Sequence, residues 1–186
     1  MKENKLNSIM ERISKRAVTD TIPNTNTMIY AIKPEVMTIL GELAYKEYYQ
    51  MSFYNKLASL ANNLGFMKAE KYLLEESAEE RTHFLGHYDY IVGRGENITI
   101  PALESPQLTA KSLYEIVMQS LQMEIEVSDM YQMAAAKVFG MDQMTYNHLL
   151  EYIEIQQGAV KFYIDACATL SGLEKTGELV AEQSIF

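Results

Sequence analysis

Cysteine is almost absent from this chain of 186 residues: Cys167 is the only one. No intrachain disulfide and no cysteine-based zinc site can form, and a reducing, cytoplasmic setting is the expectation. Tryptophan is missing, and histidine occurs only at His83, His87 and His148. No apolar run approaches the roughly 18–20 residues of a membrane span, and the first residues hold no apolar signal-peptide core. Basic residues are outnumbered, 16 Lys+Arg against 25 Asp+Glu, for a net charge of -9. That balance argues against nucleic acid as a partner of the whole surface. Residues 1–16 depart from it locally, with Lys2, Lys5, Arg12, Lys15 and Arg16 against Glu3 and Glu11.

Proline is scarce too. Pro23, Pro34, Pro101 and Pro106 are the only four, so 35–100 and 107–186 are proline-free. Each stretch has room for two long helices. Few windows alternate with period two, which argues against a β-rich fold. The expectation is an all-α protein. Residues 1–30 read as an extension, a weakly amphipathic segment and a polar linker, expected to be a mobile arm.

What is present is a hydrophobic content of 48%, enough for a sizeable core, laid out at helical spacing. A first helix is expected from Pro34 to about Asn63, with Leu40, Leu43, Glu47, Met51, Tyr54, Ala58 and Ala61 on one face. Gly65 marks a break. A second helix runs to about Val92, with Phe66, Ala69, Leu73, Glu76, Glu80, His83, Phe84, His87 and Ile91 inward. A third starts near Thr109 or Ser112 and presents Leu113, Val117, Ser120, Glu124, Val127, Ser128, Tyr131, Ala135 and Val138. A fourth follows Gly140 and runs to about Ser171, with Leu150, Ile153, Gln157, Val160 and Ile164 on its face. The tail over 173–186 has room for a short fifth helix in LVAEQSIF.

Connection lengths set the topology. The first and last breaks are short, so each flanking pair is an antiparallel hairpin. Between the hairpins lies RGENITIPALESPQLTAK, about 18 residues. A helix of about 30 residues is roughly 45 Å long, which roughly 13–14 extended residues can cross. The connection can therefore traverse the bundle and set the third helix parallel to the second, giving a four-helix bundle with one long crossover.

Each expected stripe carries a ligand-type residue near its middle: Glu47, then Glu80 and His83 in an E-x-x-H, then Glu124, then Gln157. An unpaired carboxylate is rarely tolerated inside a protein, so three converging on an imidazole call for cations. Oxygen-rich donors with one imidazole suit iron or manganese. Spacing of i, i+3 places Glu80 and His83 side by side. E-x-x-H alone is common on solvated helices. The coincidence on four helices at similar depth gives it weight. His87, one turn beyond His83, reads as a core histidine beside the site.

The stretches IKPEVMTILGELAYKEYYQMSFYNKLAS, EESAEERTHFLGHYDYIVGRG, ALESP, Glu124-x-x-Val127 and YIEIQQ resemble the non-haem ferritins over roughly residues 32–172. The resemblance implies a diiron centre in which Glu47 and His83 hold one iron, Glu80 bridges, and Glu124 with Gln157 serves the second. It makes Tyr54 the tyrosine beside the centre, although an ordinary core tyrosine fits the same position. Glu79 remains as a further metal ligand. The carboxylates of a third iron site are not matched, since those positions read Gln156, Ala159 and Val160. Threefold-channel carboxylates are likewise replaced by Asn147 and Leu150.

By the same resemblance the protein is a ferroxidase. It would oxidise Fe(II) to Fe(III) with dioxygen or hydrogen peroxide and store the mineral inside a homo-oligomeric cage of 24 subunits. The alternatives are a peroxidase-type diiron oxidoreductase, against which the single E-x-x-H stands, and a DNA-protecting miniferritin using the basic arm.

Overall fold

The computed structural model describes residues 31–186, and the extension expected over 1–30 lies outside the described residues. Five helices follow in order: α1 (Pro34–Leu64), α2 (Met67–Gly93), α3 (Leu113–Val138), α4 (Gln143–Leu170) and α5 (Lys175–Ile185). No strand occurs among the described residues, and no helix there is long and apolar enough to cross a membrane.

Local chemistry sets the ends. Pro34 occupies the first turn of α1, where its missing N–H is no loss. Gly65 closes α1 at φ 92, a left-handed conformation that L side chains rarely adopt. The Ser112 hydroxyl accepts from the Glu115 N–H at 3.1 Å, and the Glu115 carboxylate accepts from the Lys111 N–H at 2.8 Å. Together they start α3. Asp142 starts α4 by accepting from the Thr145 N–H at 3.0 Å, and its other oxygen takes the Arg94 guanidinium at 2.6 Å. That ion pair ties the end of α2 to the start of α4.

Contacts between elements give the directions. Gln50 meets Glu80 and Asn62 meets Glu70, so α1 and α2 run antiparallel. Glu124 meets Tyr54 and Tyr131 meets Glu47, so α3 is antiparallel to α1. His87 meets His148 and Glu76 meets Tyr163, so α4 is antiparallel to α2. It follows that α2 and α3 are parallel, joined by residues 94–112 across the length of the bundle. The expected topology is the observed one.

Apolar layers close both ends. Leu57, Ala61, Phe66, Ala69, Leu73, Leu113, Val117 and Leu170 fill one; Val36, Leu40, Leu43, Ile91, Val138 and Leu149 fill the other. Between them lies a band of buried polar side chains. On α3 every residue of the expected stripe is buried. The faces of α1 and α4 differ from expectation. Met51 is only half-buried, while Gln50 is fully buried. On α4, Leu150 and Ile164 are 42% and 50% exposed, and Leu149, Tyr152, Gln156, Tyr163, Ala166 and Cys167 are buried instead. The inward face is rotated by one residue. Two apolar rows run along α4, and the row carrying the tyrosines wins because their rings bury more area.

The fifth helix begins four residues earlier than LVAEQSIF and has a defined task. α2 has no side-chain cap of its own. Glu182 accepts from the Lys68 and Ala69 N–H groups at 2.6 and 2.9 Å. Glu178 accepts from the Leu113 and Tyr114 N–H groups at 3.2 and 2.9 Å. One turn apart, these buried carboxylates cap the two parallel helices, α2 and α3, whose N-termini share an end of the bundle. Replacing either glutamate with alanine is expected to lower unfolding free energy by about 1–3 kcal/mol, the worth of charge-assisted bonds to buried donors. Urea denaturation checks this; a change within error for both variants would show the caps to be idle.

Candidate metal centre

The polar band converges on one place. α1 supplies Glu47 and Gln50, α2 supplies Glu80 and His83, and α3 supplies Glu124, all buried. One ligand atom each from Glu47, Glu80 and His83 lies within 4.8 Å of the others. His83 Nδ1 faces the carboxylates, 3.1 Å from Glu80 and 3.4 Å from Glu47. Glu124 joins through Gln50, whose amide nitrogen donates to Glu80 Oε1 at 3.1 Å and Glu124 Oε1 at 3.2 Å. Tyr54 donates its hydroxyl to Glu124, and Tyr131 donates to Glu47.

A cleft of about 290 Å³ opens onto this cluster between α2 and α4, lined by Tyr72, Glu76, Glu79, Glu80, His83, Glu124 and Gln156 among others. Glu79 sits at its wall, exposed, 3.7 Å from His83 Nε2. Gln157 does not reach it. That residue is exposed, and Gln156, 1% exposed, fills the position on α4. The reassignment follows from the one-residue rotation of α4.

Charge is crowded here. Burial, and then Glu47 and Glu124, push Glu80 well above the usual carboxylate range. Burial pushes Glu124 up to about 7 despite the Tyr54 hydrogen bond. Burial also raises Glu47, but the nearby His83 and Glu80 more than offset it and leave this carboxyl below its usual value. Burial lowers the His83 imidazole, yet Glu47 and Glu80 more than offset that and raise it to about 10. A proton on His83 and another shared among the carboxyls therefore offset part of the charge, leaving two carboxylates against one imidazolium in the metal-free site.

Among the described residues, four buried side-chain oxygens have no hydrogen-bond partner: Glu47 Oε2, Gln50 Oε1, Glu124 Oε2 and Gln156 Oε1. Buried acceptors are ordinarily satisfied, at a penalty when they are not. All four belong to residues of this cluster or its cleft. Orphaned oxygens, surplus negative charge and one imidazole make a donor set that fits hard divalent or trivalent cations.

Two residues that touch the cluster, Gln50 and Tyr131, were not singled out in the sequence. Gln50 lies three residues after Glu47 and four before Tyr54, on the same face, and that spacing was the available signal. Tyr131 stood in the expected stripe of α3 but only as filler. His87 is buried as expected.

The shifts also set a pH profile for the metal-free protein. His83 rises from 6.5 to about 10 and Glu124 from 4.5 to about 7, so their contributions are full at low pH and vanish as pH climbs through the raised values. Burial lowers His87 and His148 from 6.5 to about 3 and about 4, so their contributions are present above 6.5 and vanish on acidification. Metal-free protein is expected to be most stable near pH 6–7 and to weaken toward pH 10 as well as toward pH 4. Thermal melts after chelation measure this; stability rising steadily from pH 7 to 10 is the contrary outcome.

The ferritin-like domain family matches residues 37–172. The chain is 27% identical over 148 residues to a bacterial non-heme ferritin of Escherichia coli O157:H7, covering 79% of this chain and 90% of that one. It is 24% identical over 148 residues, with the same coverage, to a probable bacterial non-heme ferritin-like protein of Haemophilus influenzae. Its fold is similar to an open pore ferritin from the archaeon Archaeoglobus fulgidus, with a TM-score of 0.80 at 20% identity over 84% of this chain and 97% of that one. An all-α bundle with the E-x-x-H cluster at its centre and a family match over most of its length place this chain in the ferritin-like family.

Proposed function

We propose that the protein is an iron-storing ferritin, with Fe(II) as the substrate of a ferroxidase centre inside each bundle. The buried oxygens left without hydrogen-bond partners beside a single imidazole carry this reading. Glu47 and His83 hold one iron, Glu80 stands between the two, and Glu124 with Gln156 holds the second. Glu79, at the cleft wall, receives iron on its way in. The cleft between α2 and α4 is the opening through which ions reach the buried ligands.

Binding and oxidation follow from the charges. Cations replace the proton on His83 and the one shared by the carboxyls, and offset the burial and repulsion that lift Glu80 and Glu124. Hard carboxylate oxygens prefer Fe(III) to Fe(II), which eases loss of one electron from each iron to dioxygen or hydrogen peroxide. A neutral amide at Gln156 binds the second ion less firmly than a carboxylate, so that site stays exchangeable. Gln50 and Tyr54 hold Glu124 and Glu80 in place by donating to them.

Storage implies a cage, and assembly of 24 subunits in the cytoplasm belongs to the same proposal. Glu47, Gln50, Glu80, His83 and Glu124 come together within one bundle.

Fe(II) oxidation followed by absorbance tests the reading. Glu80→Ala combined with Glu124→Ala is expected to abolish the fast phase; retention of the wild-type rate overturns it. The register of α4 gives a second test. Gln156→Ala is expected to weaken binding of the second metal several-fold and Gln157→Ala to leave it unchanged, as read by calorimetric titration; the reverse pattern contradicts the assignment.

A further inference from the structure

A line of hydrogen bonds leaves the metal centre through residues that do not line the cleft. It begins at Glu47, which accepts from the Tyr131 hydroxyl. Tyr131 Oη lies 2.6 Å from His87 Nε2, and His87 Nδ1 lies 3.1 Å from His148 Nε2. Glu47, Tyr131 and His87 are fully buried, and His148 is half-buried. Nothing in the binding of iron uses His87 or His148. We propose that Tyr131, His87 and His148 form a proton relay between solvent and Glu47.

The directions of the bonds are forced. Tyr131 has one hydroxyl proton and donates it to Glu47, so its oxygen accepts from His87 Nε2–H. Burial holds His87 neutral, down to about 3. A neutral ring protonated at Nε2 has a bare Nδ1, which accepts from His148 Nε2–H. Burial likewise keeps His148 neutral near pH 7. Every donor therefore points from the surface toward Glu47.

One passage moves one proton and breaks as many bonds as it forms, apart from the net transfer. A solvent proton adds to His148 Nδ1. The His148 Nε2 proton passes to His87 Nδ1, the His87 Nε2 proton to Tyr131, and the Tyr131 proton to Glu47 Oε1. The chain now points outward. A proton released at the site runs back along it and resets the starting tautomers. Resting on the ferroxidase reading, the two directions match its two demands. Reduction of dioxygen by two Fe(II) to hydrogen peroxide consumes two protons, and hydrolysis of the two Fe(III) to oxyhydroxide releases six.

Packing holds the line in place. The Tyr152 ring stacks on His87 at 4.3 Å and 18° and on Tyr131 at 5.3 Å and 5°. Tyr90 stacks on His148 at 4.1 Å and 6°. Gly86 makes room: a Cβ there would stand 2.2 Å from the Tyr152 hydroxyl. A relay needs rings that neither rotate nor drift.

The test reads tautomers first. Solid-state 15N NMR of imidazole-labelled, metal-free protein at pH 7 is expected to show His87 and His148 neutral and protonated at Nε2, with His87→Phe and His148→Phe giving the assignments. Protonation of His87 at Nδ1 overturns the relay whatever the protein does with iron. The second arm is kinetic. His87→Phe keeps the stack but breaks the line, and is expected to slow Fe(II) oxidation about tenfold or more while Zn(II) affinity stays at the wild-type value. An unchanged rate overturns the relay, and a loss of Zn(II) affinity equal to the loss of rate makes His87 a structural residue instead. Should the wild-type protein oxidise no iron, the proposed function falls, and the tautomers alone decide the relay.

Discussion

Three carboxylates and one imidazole are buried together in the middle of this bundle, and the rest of the structure is arranged around the repulsion between them. A single carboxylate at such depth is destabilising, and three are tolerable only with protons, hydrogen-bond donors or cations among them. The chain supplies the first two. A charged His83 lies against Glu47 and Glu80, while Gln50, Tyr54 and Tyr131 donate from the helices on either side. Oxygens still remain without partners. That shortfall separates a site prepared for an ion from a polar core that satisfies itself.

Holding such a cluster requires stability from elsewhere. Apolar layers flank it toward both ends of the bundle. The parallel placement of α2 and α3, imposed by the crossover, gathers two helix N-termini at one end, where aligned dipoles of like sign meet. Glu178 and Glu182 answer that with two carboxylates from a single short helix. The same topology that gathers the site's side chains from four helices thus creates an electrostatic fault at its end, and α5 corrects it.

Much of this was legible in the amino-acid sequence. Proline placement and the long connection after Gly93 were enough for the four-helix topology, because helix length and chain reach are simple geometry. Glu47, Glu80, His83 and Glu124 were legible because polar residues in apolar stripes stand out, and the structure brings them together. The face of α4 was misread by one residue. Leu150, Ile153 and Ile164 made a row as apolar as the true one, and tyrosines count for little on hydropathy although they bury large rings. That shift put Gln157 in the row where the structure buries Gln156. Gln50 and the Tyr131–His87–His148 line were hidden for another reason. Their meaning lies in pairing across helices, which no spacing within one helix reveals.

The central claim is that this cluster is a two-metal iron site. Anomalous diffraction at the iron edge, on crystals soaked anaerobically in Fe(II), tests it most directly. Two peaks are expected inside each bundle, one against Glu47 and His83, the other against Glu124 and Gln156, with Glu80 between them. Iron found only at surface carboxylates, with the bundle interior empty, would contradict the account.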